Sequence, residues 1–366
     1  MRLLALTAAL LACGVGLDAA RLPAIAADGS SRQGRLLHAD RRELISNGSP
    51  APPGRYPFVC AVGRASHDDD TVSFDLQHCG GTLIHPQVVV TAAHCTADAR
   101  GRILRGMAVL CNTTRLGTSS LVEGVEFRRV TEALLNPNAT EVREAGGSTP
   151  PASSGVEDQP TAAAQPFTAG DVALLLLDSP IEGAVPVQIA TTDQWDSIDA
   201  PGTELRVVGW GAISEGNSPS HFPRQLQEGT LPLVDPATCA RLYRRAEFDG
   251  VRQYIDALLA ICAGFTTGAK TLPCAGDSGG PLLYTPNVDD PSTDIQVGIV
   301  SGGAGECAGP ALPGVFLRLD HYRDWIEAAL QTVDSSGQLP DGAAAPGQLI
   351  PAGQTTQFTS AASPAP

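Results

Sequence analysis

The feature that most restricts this chain is a pair of short runs lying far apart. Thr91-Ala92-Ala93-His94-Cys95 sets a histidine beside a cysteine, and Cys274-Ala275-Gly276-Asp277-Ser278-Gly279-Gly280-Pro281 sets a serine among glycines. A serine hydroxyl stays protonated at neutral pH, so it becomes a nucleophile only beside a base that a third group orients. Ser278 and His94 supply the first two parts, and the fold must therefore bring these distant segments together. Asp171 opens the apolar run Val172-Ala173-Leu174-Leu175-Leu176-Leu177, where an acid is expected to be buried, and it suits the third part. The glycines have a separate use. The backbone N–H groups of Gly276 and Ser278 can converge on a developing oxyanion only where no bulky Cβ intrudes.

The order His94, Asp171, Ser278, with both flanking motifs, resembles the chymotrypsin-like (trypsin-fold) serine proteases. Further segments match in order: Cys79-Gly80-Gly81-Thr82-Leu83-Ile84 before the histidine, Val207-Val208-Gly209-Trp210-Gly211, Val297-Gly298-Ile299-Val300-Ser301-Gly302-Gly303 after the nucleophile, Pro313-Gly314-Val315-Phe316, and His321-Tyr322-Arg323-Asp324-Trp325-Ile326. The resemblance covers residues 45–331. It implies an all-β fold of two six-stranded antiparallel Greek-key barrels, the active site in the cleft between them, and a C-terminal helix. The residues agree with a strand-rich chain, since Val88–Val90, Ala173–Leu177, Leu205–Val208 and Ile295–Val300 are short apolar or β-branched runs bounded by Gly, Pro, Asp and Ser. Asp320–Leu330 reads as helix, and one or two short helices are expected in all.

The implied activity is endopeptidase cleavage through an acyl-enzyme, with Ser278 attacking, His94 moving the proton and Asp171 holding the imidazolium. Ser301 is expected to hydrogen-bond Asp171, and Ser301 and Gly303 to pair with substrate backbone as an added strand. Gly303 and Gly314 occupy the pocket walls and leave them open, while Gly302 stands where the family usually has an aromatic residue. Counting back from Ser278 puts Leu272 at the pocket floor, and a one-place slip puts Thr271 there. Neither is a carboxylate. A buried cationic side chain without a counter-charge loses hydration with little return, so an apolar residue before the scissile bond is expected.

Activation in the family frees an N-terminus whose ammonium pairs with the acid before the nucleophile, here Asp277. Ile45-Ser46-Asn47-Gly48 matches the family's mature start in its isoleucine, its glycine and its spacing to Pro57, although Leu44 precedes it where Arg or Lys is usual. Two routes fit: a cut after Leu44, or a cut after Arg42 with trimming of Glu43-Leu44. The resemblance implies no cofactor and no metal.

Met1–Ala12 has a positive residue, a short apolar core and small residues beyond, the pattern of a cleaved secretory signal ending after Gly14, Ala20 or Ala26. The expected organisation is a signal over 1–26, a propeptide over 27–44, the protease domain over 45–331, a disordered insertion over 139–167 and a disordered Pro/Ala/Gly-rich tail over 332–366. Of nine cysteines, setting Cys13 aside leaves eight, an even number suited to an oxidising compartment. The resemblance implies bridges Cys79–Cys95, Cys239–Cys262 and Cys274–Cys307, leaving Cys60 and Cys111 on strands that are neighbours in the family's first barrel.

A net charge of −15 and a pI near 4.8 argue against nucleic-acid or anionic-membrane partners, which demand clustered Lys and Arg. Expected partners are protein or peptide substrates and protein protease inhibitors; the chain is expected to be a secreted monomer with no membrane span. Two other classes compete. A protease-fold binding protein would ordinarily lack a triad member, and an α/β-hydrolase esterase needs the acid between serine and histidine in chain order, whereas Ser278 comes last.

Overall fold

The computed structural model describes residues 48–65, 77–98, 101–117, 125–139, 169–213, 222–245, 247–248, 251–252, 255–267, 273–302 and 312–349. The expected signal, propeptide and Ile45, nearly all of the 139–167 insertion, Thr271, Leu272, Gly303 and Cys307 lie outside them.

After a two-residue strand β1 (Ser49–Pro50), six strands form the first barrel: β2 (Val59–Arg64), β3 (Gln77–His85), β4 (Val88–Thr91), β5 (Met107–Cys111), β6 (Glu126–Leu135) and β7 (Ala173–Leu177). They close in the order β2-β3-β4-β7-β6-β5, every pair antiparallel. β4 and β7 read VVVT and ALLLL and are buried along their whole length. Such unbroken β-branched and leucine runs form where a strand is covered on both sides, by the barrel interior on one and by packed chain on the other.

The second half begins with β8 (Gln188–Ile189) and helix α1 (Thr192–Ile198), then β9 (Glu204–Gly209), β10 (Gln227–Pro232), helix α2 (Pro236–Arg245), a small hairpin of β11 (Glu247–Phe248) and β12 (Val251–Arg252), β13 (Ala260–Ala263), β14 (Pro281–Tyr284), β15 (Ile295–Gly302) and β16 (Gly314–Arg318). Its sheet runs β1-β10-β9-β14-β15-β16-β13, with β8 added in parallel beside β15. The ring of β10 through β13 is completed by a single antiparallel bridge between Leu233 and Ala263, where Val234 N–H donates to the Cys262 carbonyl at 2.8 Å. The second barrel is thus a curled sheet joined at one seam, less fully closed than the first. Leu205, Val207, Leu231, Ile261, Leu282 and Phe316 fill it.

The chain ends differently from expectation. Asp320–Tyr322 is a 3-10 turn, and helix α3 (Arg323–Ser336) runs past Leu330 to a cap at Gly337, whose φ of 71° is left-handed. Ile326, Ala329 and Val333 are its buried stripe, at the spacing of a helix face packed on a core. The expectation of a disordered tail from 332 is overturned as far as Leu349. Leu339 and Ala344 are buried against the first barrel, Ala344 bridges Ala133 on β6, and Gly347 and Gln348 exchange backbone hydrogen bonds with Ile103. Two well-placed apolar side chains and this backbone pairing offset the ordering cost that a Pro/Ala/Gly-rich composition suggests. Three α-helices form among the described residues, where one or two were expected. The start of α1 carries a capping box in which Thr191 and Gln194 satisfy each other's backbone N–H groups.

Candidate active site

In the antiparallel pairing of β4 with β7, Thr91 stands opposite Ala173. The chain leaving β4 therefore meets the chain entering β7 at one end of the barrel. The 3-10 turn Ala93–Cys95 follows β4 and carries His94, while Asp171 lies just before β7. His94 Nδ1 sits 2.9 Å from Asp171 Oδ2, and the His94 backbone N–H donates to Oδ1 at 3.0 Å. Ser301, near the end of β15 in the second barrel, donates its Oγ–H to Oδ2 at 2.5 Å.

The Asp171 side chain is 3% exposed and that of His94 27%. A carboxylate facing Nδ1 fixes the tautomer with its proton there, leaving Nε2 as the basic nitrogen. Burial alone would lower the histidine pKa, but the Asp171 charge and hydrogen bond outweigh it and hold the imidazole above its ordinary 6.5. Burial likewise pushes the Asp171 carboxyl up. The His94 charge, with hydrogen bonds from His94, Ser301 and the backbone, more than reverses this and keeps it below 3.8.

Ser278 lies in the tight turn before β14, and hydrogen bonds across both barrels hold that turn. Gly80 N–H on β3 donates to the Ser278 carbonyl at 2.7 Å, Gly279 N–H to Val300 at 2.7 Å, and Gly280 N–H to Asp277 at 2.9 Å. Close approach explains the glycines at this seam: a Cβ on Gly80 would stand 2.9 Å from the Gly280 Cα. Cys95, next to His94, has its Sγ 3.6 Å from the same Ser278 carbonyl, so the serine and histidine segments touch. No hydrogen bond joins Ser278 to His94 among the described residues; such bonds are often long in unliganded enzymes and tighten around substrate.

Gly276 has a φ of 92°, in the left-handed region that favours glycine. The carbonyl before it, on Ala275, accepts from Ala212 N–H at 2.8 Å, which turns the trans-opposed Gly276 N–H the other way. Among the described residues neither Gly276 N–H nor Ser278 N–H donates to a protein acceptor. Asp277 is fully buried, and among the described residues its carboxylate receives only the N–H groups of Gly211 at 2.7 Å and Cys274 at 2.9 Å. Burial raises its pKa to about 6 against the smaller opposing effect of those two hydrogen bonds.

Around the expected pocket, Gly314 on β16 is buried, and a Cβ there would lie 3.1 Å from the Phe316 ring and 3.4 Å from Pro273. Cys60–Cys111, Cys79–Cys95 and Cys239–Cys262 are bridged. Cys274 is disulfide-bonded too, and the partner expected for it, Cys307, falls outside the described residues. Cys79, His94 and Cys95 gather three potential metal donors, but both sulfurs are consumed in their disulfide.

Two neighbours of the site escape a reading of motifs. Tyr322, at the foot of α3, accepts Gly170 N–H on its Oη at 2.9 Å and so braces the turn that delivers Asp171. Gln77, opening β3, donates Nε2 to the carbonyls of Cys79 at 3.1 Å and Gly276 at 2.8 Å. Both act across long sequence separations, and nothing local to Tyr322 or Gln77 signals it.

Comparison with known proteins agrees with this geometry. The trypsin family model matches residues 45–326. A tryptase from Mus musculus is 31% identical over 288 residues, 78% of this chain and 88% of the tryptase. A trypsin from Saccharopolyspora erythraea is 31% identical over 251 residues, 68% of this chain and 85% of that protein. The serine proteinase stubble of Drosophila melanogaster is 30% identical over 285 residues, 77% of this chain but 30% of that longer protein. With a closed antiparallel barrel, a curled second sheet, a C-terminal helix and this family match, the chain belongs to the trypsin family and is a serine endopeptidase acting on protein substrates.

Proposed function

We propose that this chain is secreted as a zymogen and, once processed, hydrolyses peptide bonds through an acyl-enzyme on Ser278. The carrying observation is the buried Asp171 carboxylate gripping His94 by two hydrogen bonds at the seam where Gly80 holds the Ser278 turn. His94 Nε2 takes the Ser278 Oγ proton as the oxygen attacks the scissile carbonyl. The Gly276 and Ser278 N–H groups receive the oxyanion. Imidazolium then returns the proton to the leaving amine, and water repeats the sequence to release the acid product.

Substrates carry an apolar residue before the scissile bond, in a pocket with Leu272 or Thr271 at its floor and Gly303 and Gly314 in its walls. The backbone of Ser301 and Gly303 pairs with the substrate strand. Support comes from the absence of a carboxylate at either floor position and from the burial of Gly314. Activation frees the Ile45 ammonium to pair with Asp277, a reading supported by a buried carboxylate that has only two backbone N–H partners among the described residues. Three bridged pairs and the disulfide-bonded Cys274, paired in this reading with Cys307, suit an oxidising compartment, and no described helix is long and apolar enough to cross a membrane. In this reading the enzyme works as a monomer and is open to protein inhibitors, since His94, Asp171 and the Ser278 turn all come from one chain.

A peptide-library digest with the processed protein tests the reading. Cleavage after Leu, Phe, Tyr or Met is expected, together with stoichiometric labelling by a phosphonylating probe. Ser278→Ala abolishes labelling and lowers kcat on the order of 10⁶-fold. Faster turnover of an Arg substrate than of a Phe or Leu one refutes the pocket assignment, and a processed N-terminus far from Ile45 refutes the activation model.

A further inference from the structure

Resting on the proteolytic reading above, we propose that residues 344–349 are a positioning segment for the leaving-group side of the cleft. They hold the hairpin that follows His94 as a fixed wall for the substrate residues beyond the scissile bond.

One peptide group gives the side on which that wall stands. The Ser278–Gly279 peptide donates its N–H to the Val300 carbonyl on β15 at 2.7 Å, and its carbonyl accepts from Gly80 N–H on β3 at 2.7 Å. A trans peptide aims these two groups in opposite directions. Cys95, whose Sγ is 3.6 Å from that carbonyl, is therefore on the β3 side of the nucleophile turn, across from the strand that carries Ser301. With Ser301 assigned to the substrate residues before the scissile bond, the chain leaving Cys95 borders those after it.

That chain folds back as a hairpin of residues 96–98 with 102–104. Buried Thr96 starts it and bonds the Ala93 carbonyl twice, through its N–H at 3.0 Å and its Oγ1 at 2.8 Å, which ties the hairpin to the turn bearing His94. Leu104 N–H donates to the Thr96 carbonyl and Asp98 N–H to the Arg102 carbonyl, both at 2.9 Å. Between them Ile103 turns its backbone groups the other way. Its N–H donates to the Gln348 carbonyl at 2.9 Å, its carbonyl accepts from Gly347 N–H at 2.8 Å, and Arg102 bridges Leu349. Residues 102–104 are thus the middle of three antiparallel strands, and the C-terminal segment is the outer one. A hairpin of two strands is marginal by itself, and a third strand gives it a fixed shape.

The segment is moored away from the cleft. β5 pairs with β6 only over Glu126–Arg129, which leaves the β6 edge open at Ala133, and Ala344 fills it with two backbone hydrogen bonds of 2.9 Å. Among the described residues, 344–349 make no hydrogen bond to His94, Asp171 or the Ser278 turn. Without the outer strand the hairpin keeps its own pairing, but the leaving segment of each substrate must order it on binding, which weakens recognition on that side.

The experiment compares the processed full-length protein with a chain ending at Pro346, a chain ending at Leu349 and Gly347→Pro, each standardised by phosphonate active-site titration. The chain ending at Pro346 keeps Leu339 and Ala344 and lacks the outer strand. Gly347→Pro removes the N–H bonded to Ile103 and cannot adopt the glycine's φ of 89°. Two substrates share one acyl part: an anilide with no residue beyond the scissile bond, and a peptide extended beyond it. In the Pro346-ended chain and in Gly347→Pro, kcat/KM for the extended peptide falls about tenfold while that for the anilide stays within about twofold. Transfer of the acyl group to an added dipeptide amide, relative to water, falls in parallel, and the Ile103 amide exchanges faster with deuterium. The chain ending at Leu349 matches the full-length protein in each measurement.

Equal losses on the anilide and the extended peptide overturn the proposal, because they mark distortion of the His94 turn or of the whole fold. So do unchanged rates on the extended peptide, an Ile103 amide still protected in both altered proteins, or a Leu349-ended chain as impaired as the Pro346-ended one. An inert full-length protein instead overturns the proteolytic reading on which the proposal rests.

Discussion

In the proposed mechanism His94 and Asp171 shape the pH response as well as the chemistry. The imidazole must be neutral to accept the serine proton, and the Asp171 carboxylate holds its pKa above 6.5. Activity therefore rises with pH through an apparent pKa above that value, and a kcat/KM profile with its acid limb below 6.5 contradicts the coupling. The meeting of these segments was legible in the chain because a serine among glycines, a histidine beside a bridging cysteine and an acid entering an apolar strand are restricted residue types at fixed points. Gln77 and Tyr322 were not legible, since an amide or phenol at those positions signifies nothing until the fold brings Gly276 and Gly170 to it.

Strand runs were readable where burial on both sides forces continuous apolar sequence, and β4, β7, β9 and β15 cover the segments expected of them. Short helices were harder. α1 and α2 depend on a cap and a disulfide, through Thr191 with Gln194 and through Cys239 with Cys262, rather than on a long periodic face. The segment after α3 shows why composition misleads most at chain ends. A few buried side chains, Leu339 and Ala344 above all, suffice to dock residues that look unstructured in isolation. Truncation after Gly337 removes that contact along with the Leu339 N–H bond to Glu132 and the pairing at Ile103. The expected cost is about 3 kcal/mol, read as a lower denaturant midpoint. An unchanged midpoint denies that the segment is docked in solution.

Across the whole molecule, the proposed processing acts through the electrostatics of Asp277. Its pKa of about 6 lies above the ordinary 3.8, so the folded chain holds this proton more tightly than the unfolded one. The stability it contributes is complete below pH 3.8 and is lost as pH rises through 6, about 3 kcal/mol in all. The precursor is expected to show that decline in unfolding experiments between pH 4 and 7, and the processed enzyme, with an ammonium beside the carboxylate, to lack it. Identical pH dependence in the two forms rejects the pairing. The two halves are also cross-laced. β1, from the N-terminal side, adds to β10 of the second sheet; Arg55 and Asp294 form a buried ion pair across the molecule; and α3 with its following segment returns to the first barrel. Each barrel thus keeps a piece of chain belonging to the other, like two hands with interlocked fingers, so neither can open alone. Autolysis within the interlaced strands described above is therefore expected to be slow, because a protease needs its substrate segment pulled out of the sheet.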